Sequence, residues 1–158
     1  MMMKTIPALL ASLLLAACAT PGISDGERAA LYEANAGEPV RSFRYLGRLS
    51  GWTALGDSAV AVWTRPLEAW LLDLSGPCPD LPYAHSIAIT SNMNTVHVNF
   101  DKVRPIGAGA RSMAVPCHIR QIRPLDVGAI RDAERDIRDG GEVVDEPRAE
   151  GQSPDSGT

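Results

Sequence analysis

The chain has 158 residues, of which 45% are hydrophobic and 22% charged, and it carries a formal net charge of −4. That length suits one domain. From Asp139 to Thr158 six acids face only Arg148, so the body from Cys18 to Arg138 is neutral overall, which argues against a nucleic-acid binder because phosphate neutralisation needs a basic face.

At the N-terminus Lys4 supplies a positive charge, and the apolar stretch Thr5 to Leu14 leads into Leu15-Ala16-Ala17-Cys18. Small residues just before a cleavage point fit a signal peptidase. The tetrapeptide resembles the lipobox of bacterial lipoproteins, in which the cysteine sulfur receives a diacylglycerol and becomes the first residue. The resemblance implies a signal peptide over residues 1–17, lipidation at Cys18 and a tether over residues 18–23. A membrane-spanning helix fits less well, since a bilayer core needs ~20 apolar residues and Pro21-Gly22 breaks a shorter run. Multiple acyl chains give stable anchoring. Ala19 stands after the cysteine where enteric bacteria place an Asp to retain lipoproteins in the inner membrane. The expected location is therefore the outer membrane, facing the periplasm.

Ser24-Asp25-Gly26-Glu27 reads as a capping box, with Ser24 accepting from the Glu27 N–H and the Glu27 side chain reaching back. It predicts a short helix over Asp25 to Ala36, stopped by Gly37 and Pro39. The hydrophobic period then changes to two. Ser42 to Leu49 is predicted as a strand with Phe43 and Tyr45 on one face. Ser58 to Thr64 and Glu68 to Leu74 form a predicted hairpin around Arg65-Pro66-Leu67, with Trp70, Leu72 and Leu74 on one face. Gly76 to Asp80 is a rigid turn. Ser86 to Thr90 follows as a strand, then a Ser91 to Asn94 turn. Thr95 to Phe100 alternates, predicting Val96, Val98 and Phe100 inward and Thr95, His97 and Asn99 outward. Pro105 to Ala114 is Gly- and Ala-rich and is predicted as a loop. Its Gly107-Ala108-Gly109 lacks the third glycine and following helix of a dinucleotide fingerprint.

Cys117 to Arg123 is the last predicted strand, in which Ile119 and Ile122 share a face only through a bulge or turn. Asp126 caps a second helix with Val127, Ile130, Ala133 and Ile137 as its apolar stripe, and with Glu134–Arg138 and Asp132–Arg135 as exposed pairs. Residues 139–158 are acidic and poor in apolar groups, as in disordered segments. Together these elements predict a mainly β domain over residues 24–138. It would be a small antiparallel barrel or sandwich of five or six strands, with a short helix before it and one after.

Export would place Cys78 and Cys117 in an oxidising compartment, where two remaining cysteines pair by default. Closing a loop of about forty residues is worth roughly 4 kcal/mol in the chain-entropy model. Neither cysteine has the spacing of a zinc or thioredoxin-like motif.

Several runs carry a wider likeness: Trp52-Thr53-Ala54-Leu55-Gly56, Val62-Trp63-Thr64-Arg65-Pro66, Ala69 to Leu74, Pro77-Cys78-Pro79-Asp80-Leu81, Asp101-Lys102-Val103, Pro116-Cys117-His118-Ile119 and Ile122 to Asp126. These resemble a family of small proteobacterial lipoproteins with a domain of unknown function. The likeness covers roughly residues 30–130. It supports the domain boundaries and the cysteine pair and implies no catalytic residue.

Candidate chemistry is sparse. The histidines are His85, His97 and His118, and none has paired-ligand spacing, so no metal or cofactor is expected. Ser86 cannot act with His85, because neighbours on a strand point to opposite faces. Asp101 reads as a turn residue or surface pair, with a catalytic role as the sharper alternative. Trp70 belongs to the core face, whereas Trp63 lies opposite Val60 and Val62 and is either packed or exposed for a partner. Two functions stay open. The preferred one is a lipid-anchored accessory or structural component that binds an unidentified envelope protein or small ligand, with Trp63, His97 and Asp101 as its possible surface. The other is a small envelope hydrolase using Asp101 with His97 or His85.

Overall fold

Local chemistry at Ser24 starts the first helix, α1 (Asp25–Ala34). The Glu27 N–H donates to Ser24 Oγ at 3.2 Å, and Glu27 Oε2 accepts from the Ser24 N–H at 2.8 Å, so the expected capping box forms. The helix ends at Asn35, whose side-chain amide donates to the Leu31 carbonyl. Gly37 lies beyond the helix. Its N–H donates to the Pro124 carbonyl at 2.8 Å, and a Cβ there would stand 3.1 Å from the Pro124 ring. Only glycine lets the chain pass that close without displacing the ring. The structure, a computed structural model, describes residues 23–107 and 115–140. The expected signal peptide, Cys18, the loop over 108–114 and the acidic tail from 141 lie outside the described residues.

The strands are β1 (Ser42–Arg44), β2 (Gly51–Leu55), β3 (Ala59–Arg65), β4 (Glu68–Leu74), β5 (Ser86–Ile89), β6 (Thr95–His97), β7 (Lys102–Ile106) and β8 (Cys117–Leu125). Six of them form one curled sheet in the order β2-β3-β4-β8-β7-β5, and β1 pairs with β6 as a separate ribbon. All pairings are antiparallel. The C-terminal helix, α2 (Val127–Asp139), is capped by Asp126, which accepts from the Ala129 N–H at 2.9 Å. The result is a mainly β sandwich with a helix before it and a helix after it.

Three layers follow from the alternation of side chains across the sheet. On one face Val60, Val62, Leu72, Leu74 and Ile122 pack against Phe43, Tyr45 and Val96 of the ribbon. Trp70 lies at the edge of this core, its ring stacked on Phe43 at 5.0 Å. On the other face Ala61, Ala69, Leu71 and Leu125 pack against Tyr32 of α1 and Val127 and Ile130 of α2. Burying one such aliphatic side chain contributes about 1.5–3 kcal/mol.

The expected irregularity in the last strand is present. Asp73 pairs with Gln121 while Leu74 pairs with Ile119, so Arg120 is an extra residue on β8. A bulge of this kind reverses the alternation, and Ile119 and Ile122 are both fully buried. The cysteine pair also forms. Cys78, just after β4, is bonded to Cys117 at the start of β8, with Cα atoms 6.0 Å apart.

Four sequence expectations need correction, and one edge strand, Gly51–Leu55, is not among those predicted. Pro105 and Ile106 belong to β7 and not to a loop. The first predicted strand stops at Arg44, and Gly47 then takes a positive φ of 79°. The Thr95 to Phe100 strand stops at His97, because Asn99 adopts φ 66° and the Asp101 N–H closes back onto the His97 carbonyl at 3.1 Å. The alternation ends with the strand, and Phe100 is 82% exposed instead of inward. Finally, Glu134 accepts from the Tyr32 hydroxyl at 3.2 Å in place of pairing with Arg138, while the Asp132–Arg135 pair forms as expected.

Candidate functional site

The tight turn from His97 to Asp101 sets the one carboxylate–histidine pair among the described residues. It folds the Asp101 side chain back under the sheet edge, where the residue is only 7% exposed. Oδ1 accepts from the Thr90 hydroxyl at 2.7 Å, and Oδ2 accepts from the His97 backbone N–H at 2.7 Å. Thr90 Oγ1 in turn accepts from the Lys102 N–H at 2.9 Å, and the Asp101 carbonyl accepts from the Ile119 N–H at 3.0 Å. One residue therefore joins the ends of β5 and β6 to β7 and β8. The surface reading of Asp101 is corrected: its carboxylate closes a polar network that a buried charge requires.

His97 sits beside it, Nδ1 lying 3.7 Å from Asp101 Oδ2, with its side chain about half exposed. That separation is longer than a hydrogen bond. A general base must present a free lone pair to a substrate proton, whereas both Asp101 oxygens here face donors held by the fold. His85 does not join the pair. It lies before β5, against Gly107, where a Cβ would come within 2.9 Å of the ring. Thr90, the Asp101 partner, follows the far end of that strand. Five residues of strand separate them by roughly 16 Å, so the pairing of Asp101 with His85 is ruled out. Among the described residues no three His, Cys, Asp or Glu side chains gather as a metal site.

Of the two readings of Trp63, packed or exposed for a partner, the structure favours the packed one. Trp63 falls on the face opposite Val60 and Val62, as the alternation requires, but that face lies beneath the helices. Its ring meets Tyr32 edge-on at 6.0 Å and 85° and is half-buried. Burial raises the Tyr32 hydroxyl to about 12, with the Glu134 carboxylate adding to the effect.

Among the surface concavities of the described residues, two bear on function. A cleft of about 650 Å³ lies over the disulfide, between Ser75–Asp80 and Val115–His118, with Asp80 and His118 as its titratable groups. A second, of about 330 Å³, is lined by Arg44, Leu46, Arg48, Thr64, Arg65 and Glu68. Sequence reading missed this groove because its arginines stand far apart in the chain and form no basic run. Arg65 Nη1 lies 3.3 Å from Glu68 Oε2, and Glu68 also accepts from the Thr64 hydroxyl at 2.5 Å. Arg44 and Arg48 have no carboxylate within ion-pair distance among the described residues.

No helix among the described residues is long and apolar enough to cross a membrane. No curated protein and no solved structure matches the chain. A family model matches residues 1–141, nearly the whole chain, and on that match the chain belongs to the family of unknown function DUF6491.

Proposed function

We propose that this chain is a lipid-anchored protein of the cell envelope, held through Cys18 in the outer membrane with its body facing the periplasm, and that it acts by binding as an accessory or structural component. The lipobox-like Leu15-Ala16-Ala17-Cys18 supports the anchor. The observation that carries binding over catalysis is the engagement of Asp101. Its two oxygens accept from Thr90 and from the His97 backbone, which suits a carboxylate that holds strands together.

One observation favours the second reading, a small envelope hydrolase using Asp101 with a histidine: His97 Nδ1 stands only 3.7 Å from the carboxylate. A modest side-chain shift on substrate binding would close that gap.

Affinity capture from crosslinked envelopes, with His97→Ala as the discriminating variant, separates the two. The binding reading expects the variant to fold, stay at the membrane, retain its partners and keep its biological role. Loss of the role in a folded, correctly located His97→Ala protein that still captures its partners would overturn binding in favour of hydrolysis. Mass spectrometry of the mature N-terminus tests the anchor, and an unacylated first residue other than Cys18 would refute it.

A further inference from the structure

The groove is lined by three arginines, Arg44 from β1, Arg48 from the loop after it and Arg65 from the end of β3, with a single carboxylate, Glu68. Leu46, 64% exposed, lies among them, and Leu67, 76% exposed, follows on the turn. Guanidinium groups bind carboxylates through paired parallel hydrogen bonds, so the groove selects an acidic ligand with some apolar character.

We propose that this groove is a carboxylate-binding site and that its resident occupant is the chain's own acidic segment, Glu142 to Asp155. Charge complementarity is the first support. The segment holds Glu142, Asp145, Glu146, Glu150 and Asp155 against Arg148, with Val143 and Val144 as its aliphatic pair.

Reach is the second support. Arg131 of α2 donates through Nη2 to the Pro66 carbonyl at 2.8 Å, which seats the helix directly on the turn that carries Arg65. From Arg131 to Gly140 the helix rises about 13 Å, and a random coil of eighteen residues would have a root-mean-square span of about 23 Å. Attachment at that range would give an effective concentration on the order of millimolar.

The test is amide NMR of residues 18–158 carrying Cys18→Ser, which removes the proposed lipid anchor. At low salt, Arg44→Gln with Arg48→Gln is expected to shift the amide resonances of residues 142–155 toward the positions they take in 0.5 M NaCl. Arg135→Gln, an exposed arginine on α2 closer in sequence to the segment, is expected to leave them in place. Unchanged resonances of Val60 and Leu72 verify that the variants fold. Insensitivity of residues 142–155 to the groove substitutions would overturn the proposal, as would equal sensitivity to Arg135→Gln. Vesicles containing phosphatidylglycerol form the last arm: groove resonances that respond to them and never to the acidic segment would assign the site to a lipid surface and overturn the proposal.

Discussion

The six-stranded sheet carries two cores built from different side chains. The ribbon face packs Leu72, Leu74, Val60, Val62 and Ile122 against Phe43, Tyr45 and Val96, with Cys78 buried in the same cluster. The helix face instead places Ala59, Ala61 and Ala69 between Leu71, Leu125 and the helices. Large aliphatics fill the gap between sheet and ribbon. Small residues let the helices settle close, and the aromatic pair Tyr32–Trp63 closes the margin. A strand that alternates is commonly half-buried with one side in water. Here both sides are covered, and the difference lies in the volume of the side chains.

The largest expected effect tests that difference directly. Leu72→Ala should cost about 2–5 kcal/mol, as cavity-forming substitutions in tight cores do, read from urea unfolding. Ala61→Leu on the other face should cost about 1–3 kcal/mol through overpacking. A stabilising Ala61→Leu would mean that the helices do not sit closely on the sheet.

Loss of the Cys78–Cys117 bond, by Cys117→Ser, should cost about 2–4 kcal/mol. Free-thiol titration of the unfolded, unreduced wild-type chain should find neither cysteine reactive, and two reactive thiols would refute the bond. Trp63→Ala follows at about 2 kcal/mol, less than a fully buried aromatic loses, because the ring is half-buried. A loss near zero would return Trp63 to the status of a free surface group.

Tyr32 sharpens the same interface through pH. Its hydroxyl is raised from 10.0 to about 12, first by burial and then by Glu134. A raised value in the folded state means that the neutral phenol's contribution is complete below pH 10 and is lost as pH climbs through 12. Tyr32→Phe should cost roughly 1 kcal/mol at neutral pH and lose less stability than the wild type between pH 10 and 12. Parallel melting curves that fall equally for both proteins would exclude the assignment. The smallest effect is expected for deletion of residues 141–158, about 0–1 kcal/mol, since exposed ion pairs contribute no more. A fall of several degrees in melting temperature would show that the segment packs into the fold.

Much of this arrangement was legible along the chain because its signals are local. The capping box needs only Ser24 and Glu27, three residues apart, and the hairpin is marked by Arg65-Pro66-Leu67 between two alternating runs. The mismatch of Ile119 and Ile122 announced the bulge at Arg120, since only an extra residue puts both on one face. Other elements gave no local signal. The strand Gly51–Leu55 mixes small and polar residues and takes its shape from pairing with β3. Phe100 continues an alternating pattern that the positive φ of Asn99 cuts short, and nothing in the pattern marks that break.

What the sequence determined by itself was therefore the helix caps, the main hairpin, the cysteine pair and the mainly β class, each set by residues close together or by chemistry with a single partner. The tertiary structure alone decided where polar groups ended. Asp101 looked like a surface residue until Thr90, eleven positions earlier, supplied a hydroxyl donor. Arg44, Arg48 and Arg65 looked scattered until curling of the sheet set β1 beside the β3–β4 turn. A charge's neighbours depend on distances in space, and a chain with a near-neutral body hides a basic groove until folding removes the residues between.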